Sequence, residues 1–98
     1  MKNGRSVRSE RMRMSDGSRV LVRLFGPARE AAGAESVELE LPSAATAGDA
    51  VSELARTHPE LAPLLPRSRV AVNLEYVDVG TPVASGDEIA ILPPVGGG

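Results

Sequence analysis

Apolar and polar positions change period along the chain, and the changes mark out the elements. Arg19–Phe25 reads RVLVRLF. Its Val20, Val22 and Leu24 fall on one side, the period of two that identifies a strand. Ser36–Leu41 repeats the pattern, with Val37, Leu39 and Leu41 inward and Glu38 and Glu40 outward. Between them Gly26–Pro27 breaks the run. Pro27 suits the first position of a short helix through Ala32, which Gly33 then stops.

Pro42–Ser43 closes the second strand, and the period then lengthens. Thr46 stands three residues before Asp49, a capping-box arrangement that starts a helix. Val51, Leu54 and Ala55 form its apolar stripe, and Pro59 ends it near His58. The following PELAPLLPRS contains three prolines, so at most one turn is expected there. Val70–Asn73 reads as a third strand and Glu75–Val79 as a short strand or tight turn. Ser85-Gly86-Asp87 is a turn signal. Glu88–Leu92 is the last strand, with Ile89 and Ile91 inward, and Pro93–Pro94 ends it. No internal repeat is present.

This order predicts an α+β fold, a mixed sheet of four or five strands with one main helix across one face. The other face carries Leu21, Phe25, Ala90 and Leu92 together with Arg23. An uncovered face of that composition is a candidate protein interface, although scattered surface hydrophobes give the same pattern. Arg23 stands out, because arginine among apolar neighbours is typical of interface cores.

Composition narrows the function classes. The chain has 98 residues, near the usual size of one domain. It has no cysteine, which removes disulfides, thiolate metal sites and thiol nucleophiles. No apolar run approaches the ~20 residues of a membrane span. Residues 1–19 hold six basic and two acidic groups, whereas 20–98 hold five basic and eleven acidic ones. Residues 1–18 are Arg- and Ser-rich without hydrophobic period. They are expected to be a disordered basic extension preceding a domain over 19–98. A nucleic-acid-binding arm is the alternative, and Met12 and Met14 are possible starts. An acidic folded part argues against nucleic acid and suits a basic protein partner.

The chain closes on Pro-Pro-Val-Gly-Gly-Gly. Three terminal glycines arise by chance in about 0.03% of chains at a glycine frequency of ~7%. The prolines stiffen the exit from the last strand, so Pro93 to Gly98 can project up to ~20 Å. A backbone without side chains can thread a channel closed to other residues. Its one reactive group is the terminal carboxylate of Gly98, which needs activation, for instance as an acyl-adenylate, before it can accept sulfur or form an amide. The sequence has no phosphate-binding Gly-Lys-Ser/Thr loop and no GxSxG elbow. The activating chemistry is therefore expected in a partner that supplies ATP.

Three stretches carry a family resemblance: VRLFGPAREAAG (Val22–Gly33), VAVNLEYV (Val70–Val77) and GDEIAILPPVGGG (Gly86–Gly98). Together they resemble the β-grasp, ubiquitin-like sulfur carriers, and within these the small-subunit branch of molybdopterin synthase. The resemblance implies that Gly98 is adenylated by an E1-like enzyme and converted to a thiocarboxylate. Pro93, Pro94, Val95, Gly96 and Gly97 then enter the large synthase subunit, where sulfur passes to precursor Z. Leu21, Arg23, Phe25 and Leu92 are the implied partner interface. The implied carrier is cytoplasmic and binds no cofactor, metal, nucleic acid or membrane, ATP being used by the activating partner. A ubiquitin-like protein modifier, or a carrier for thiamine or cysteine synthesis, is the alternative. Gly96 departs from the small polar residue or alanine common in the family. Ile91 and Leu92 stand where aromatics are frequent, and the basic N-terminus is not typical.

Other polar residues read more plainly. His58 is expected as a charge at a helix C-terminus or a surface residue, and Glu38 and Glu40 as a solvated face. Asp87–Glu88 is expected to set the turn before the last strand, with acidic contact to a partner as the alternative. Arg29–Glu30 is open between a local ion pair and a partner contact.

Overall fold

The computed structural model describes residues 17–94. It contains β1 (Gly17–Leu24), α1 (Pro27–Ala32), β2 (Ser36–Pro42), α2 (Ala47–Thr57), β3 (Arg69–Val72), β4 (Glu75–Tyr76) and β5 (Glu88–Leu92), with 3-10 turns at Pro59–Leu61 and Leu65–Arg67. The strands form one five-stranded sheet in the order β2-β1-β5-β3-β4. β1 and β5 run parallel at its centre, and the other neighbours are antiparallel. The expected mixed sheet with one main helix is present.

Alternation sets the core. Val20, Val22, Leu24, Leu39, Leu41, Ile89 and Ile91 point to one side and are buried with Leu54 of α2. Burying each such side chain contributes roughly 1.5–3 kcal/mol, so this face carries most of the stability. No helix among the described residues is long and apolar enough to cross a membrane.

The capping box forms as expected. Thr46 Oγ1 accepts from the Asp49 N–H at 3.2 Å, and Asp49 Oδ2 accepts from the Thr46 N–H at 2.9 Å. Two further N–H groups of the first turn, which have no partner inside a helix, donate to the 79–81 loop. These are Ala47 to the Thr81 carbonyl and Gly48 to the Val79 carbonyl, both at 2.8 Å. His58 caps the other end, and its Nδ1 lies 2.9 Å from Thr57 Oγ1.

Several boundaries differ from the sequence reading. β1 begins at Gly17, not Arg19, because Gly17 and Ser18 pair with Pro42 and Leu41. Residues 1–16 of the expected extension lie outside the described residues. In α2 the buried positions are Ala47, Ala50 and Leu54, while Val51 and Ala55 are half-buried. Small alanines let the helix approach the sheet closely, and that rotates the stripe away from the larger valine. The three-proline segment makes two 3-10 turns, because proline fits the first positions of a turn, where no N–H partner is needed. β3 stops at Val72, since Asn73 and Leu74 turn with φ +50° and +74°.

Candidate functional site

The site is built where β5 leaves the sheet. β5 lies between β1 and β3, so its exit is fixed on both sides, and Leu92 is followed at once by Pro93 and Pro94. Pro93 rests against the turn after β1. At Gly26 the backbone adopts φ +60°, ψ −134°, a conformation open essentially to glycine alone. A Cβ placed there would stand 3.3 Å from Pro93 Cγ. Gly26 therefore allows both the turn into α1 and the close seating of the exit. α1 then ends at Gly33, φ +69°, whose N–H donates to the Arg29 carbonyl.

Pro93 and Pro94 form one wall of an open cleft of about 190 Å³, completed by Phe25, Pro27, Ala28, Leu64, Arg67 and Ser68. Phe25 and Pro27 come from the motif at the end of β1. Leu64, Arg67 and Ser68 come from the proline-rich segment, for which the sequence predicts only a turn. Its 3-10 turns hold them in place, and Ser68 Oγ donates to the Leu64 carbonyl at 2.9 Å. No periodic pattern in residues 59–68 announces this contribution.

Of the expected site residues, Pro93 and Pro94 are exposed at the root of the tail, whereas Val95, Gly96, Gly97 and Gly98 lie outside the described residues. Leu21 and Arg23 of β1 and Leu92 of β5 share the sheet face opposite α2, and Phe25 borders both that face and the cleft. Leu21 is 37% exposed, and Leu92 and Phe25 are half-buried. Arg23 donates to Glu88 at 2.9 Å and lies 6.0 Å from the Phe25 ring centroid. Ile91 cannot help anchor a partner, because it is 1% exposed in the core.

A polar lock fixes the turn that launches β5. The Asp87 carboxylate accepts from the Ala84 N–H at 2.8 Å and from Asn73 Nδ2 at 3.0 Å. Asn73 Oδ1 in turn accepts from the Glu88 N–H at 3.0 Å. These hydrogen bonds, the Ala84 N–H first and the Asn73 amide second, hold the Asp87 carboxyl below the usual carboxylate range. Asp87 thus sets the turn as expected, while Asn73, read only as the end of a strand, is its missed partner. Arg29 pairs with Glu35 at 3.3 Å rather than with its neighbour Glu30. Glu40 pairs with Arg19 at 2.7 Å on the outer face, which raises the Arg19 pKa.

Comparison with known proteins agrees with this geometry. The ThiS family profile matches residues 22–98. The molybdopterin synthase sulfur carrier subunit of Dictyostelium discoideum is 36% identical over 88 residues, covering 87% of this chain and all of that protein. The crystal structure of SAMP1 from Haloferax volcanii superposes with a TM-score of 0.74 at 32% identity, covering 83% of this chain and 100% of that one. A subunit in the complex of subunits 1 and 2 of molybdopterin-converting factor from Helicobacter pylori superposes at 0.59 with 30% identity, covering 82% and 99%. With residues 22–98 matched by the family model and the fold superposed on solved relatives, the chain belongs to the ThiS family.

Proposed function

We propose that this protein is the sulfur carrier subunit of molybdopterin synthase, working through the terminal carboxylate of Gly98. The observation that carries the reading is the root of the tail. A central strand runs without a spacer into Pro93–Pro94, seated against Gly26, and Val-Gly-Gly-Gly comes next in the sequence. The Dictyostelium relative, a sulfur carrier subunit matched over its whole length, supports the same reading.

In this reading the Gly98 carboxylate attacks the α-phosphorus of ATP in an E1-like adenylating partner, and pyrophosphate leaves. A donor persulfide then displaces AMP from the acyl carbon, and a thiol reductant cleaves the resulting S–S bond to leave the thiocarboxylate, its own thiol being oxidised to a disulfide. The chain binds no cofactor of its own. Pro93 to Gly97 deliver the end into the large synthase subunit, where its sulfur bonds to precursor Z and water cleaves the acyl–sulfur bond, returning Gly98 to a carboxylate. Leu21, Arg23, Phe25 and Leu92 hold that subunit on the outer sheet face. The proposed compartment is the cytoplasm, where ATP is available.

Reconstitution tests this. Thiocarboxylated chain mixed with the large subunit and precursor Z is expected to yield molybdopterin, and a chain lacking Gly97–Gly98 to yield none. Equal product from the shortened chain would refute the assignment. The 0.74 superposition on an archaeal modifier protein favours a second reading, conjugation of Gly98 to lysines. That reading requires a ladder of heavier conjugates in cell extract that vanishes when Gly98 is deleted.

A further inference from the structure

Two aromatic rings border the outer side of the sheet, each beneath an arginine, and the two pairs differ in what the guanidinium has left to bind. Arg23, 6.0 Å from the Phe25 centroid, already donates to Glu88. Arg69 lies much closer to its ring, 4.2 Å from the Tyr76 centroid. Among the described residues the ion pairs use Arg19, Arg23, Arg29 and Arg56, and Arg69 is in none of them. A guanidinium over a ring uses its flat face, and its N–H donors point outward in its own plane. Stacking also restricts the side chain beforehand, so less rotamer freedom is lost when a ligand binds.

The pair stands on the tail's side of the molecule. Arg69 is opposite Leu92 in the β3–β5 ladder, one residue before Pro93, and Tyr76 is opposite Ala71, itself opposite Ala90. Small alanines leave the middle of this face low, with Arg69 and Tyr76 exposed beside it. From residue 20 onward acidic groups outnumber basic ones eleven to five. An uncompensated cation held rigid here is a local exception to that charge.

We propose that Arg69, stacked on Tyr76, is a specificity-determining receptor for a carboxylate. The protein that receives the tail places an aspartate or glutamate side chain against the in-plane donors of Arg69. The inference rests on the proposed delivery of the tail to a partner and adds the chemistry by which that partner is chosen. A planar fork matches a carboxylate through two parallel hydrogen bonds, which an ammonium cannot reproduce.

The test is calorimetric binding of the full chain to the large synthase subunit from the same genome, at low and high salt. Arg69→Ala is expected to weaken binding about tenfold or more and to flatten the salt dependence. Arg69→Lys recovers little of the loss, Tyr76→Phe binds as the parent does, and Tyr76→Leu falls between. Both side chains are exposed, so melting temperatures stay with the parent. Binding of Arg69→Ala or Arg69→Lys within about twofold of the parent overturns the inference alone. A parent chain that does not bind the subunit at all contradicts the proposed function and removes this inference with it.

Discussion

On its helix side the sheet presents Val20, Val22, Leu24, Leu39, Leu41, Ile89 and Ile91, each at most 3% exposed. On the other side the same strands present Leu21, Arg23, Ala90 and Leu92, none of them buried. The helix side is aliphatic and closed. The outer side combines small, apolar and cationic groups with two aromatic rings, and its ion pairs are exposed. Such pairs contribute little to folding, so the outer side has latitude to serve recognition while its opposite holds the domain together. β5 belongs to both, and its last residues turn that rigidity into a fixed starting direction for the tail.

Neighbouring residues of β5 should therefore separate the two roles most sharply. Ile91→Ala leaves a cavity in the core and is expected to cost about 2–5 kcal/mol in chemical denaturation. Leu92→Ala, one position on, is expected to cost about 1 kcal/mol or less yet to weaken binding to the large subunit. Equal destabilisation by both would erase the distinction between the faces.

Gly26→Ala should come next, at about 1–3 kcal/mol, from the strained backbone. It also brings a methyl group to 3.3 Å from Pro93 Cγ, so amide chemical shifts around the tail root should move with it. Shifts confined to α1 would show that Gly26 does not seat the exit.

Asn73→Ala removes the donor to Asp87 and the acceptor for the Glu88 N–H, at an expected cost of about 1–2 kcal/mol. The pH dependence has a definite sign. A carboxyl held low in the folded state stabilises above its unfolded value of ~3.9 and loses that contribution as pH falls through the folded value. Without Asn73 the folded value of Asp87 rises, and the acid-unfolding midpoint is expected at higher pH. A midpoint unchanged or lowered would mean that the amide does not tune the carboxylate.

The smallest effect is a gain. Leu74 has φ +74° and is 92% exposed, so Leu74→Gly relieves a left-handed backbone without uncovering core. It should stabilise by about 1 kcal/mol or less, read as a higher Tm. A lower Tm would show that Leu74 makes stabilising contacts despite its exposure.

Much of the helix side was legible from local pattern. Alternation at 20/22/24, 37/39/41 and 89/91 needs no knowledge of neighbours, and neither does the capping box at Thr46 and Asp49. The α2 stripe was displaced because alanine counts weakly in a hydrophobic period but packs closest to a sheet. The site divides in the same way. Pro93, Pro94, Arg23 and Leu92 follow from one strand and its exit. Arg67, Ser68, Asn73 and the Arg69–Tyr76 pair depend on which strands and turns become neighbours, and no spacing in the chain encodes that.

The most direct measurement is the intact mass of the chain after incubation with an E1-like adenylating enzyme from the same genome, ATP and a sulfur donor. The account predicts a gain equal to the exchange of one oxygen for sulfur, localised by fragmentation to Gly98 and absent when Gly98 is deleted. An unchanged mass in the presence of a demonstrably competent enzyme, or sulfur found at any other residue, would contradict it.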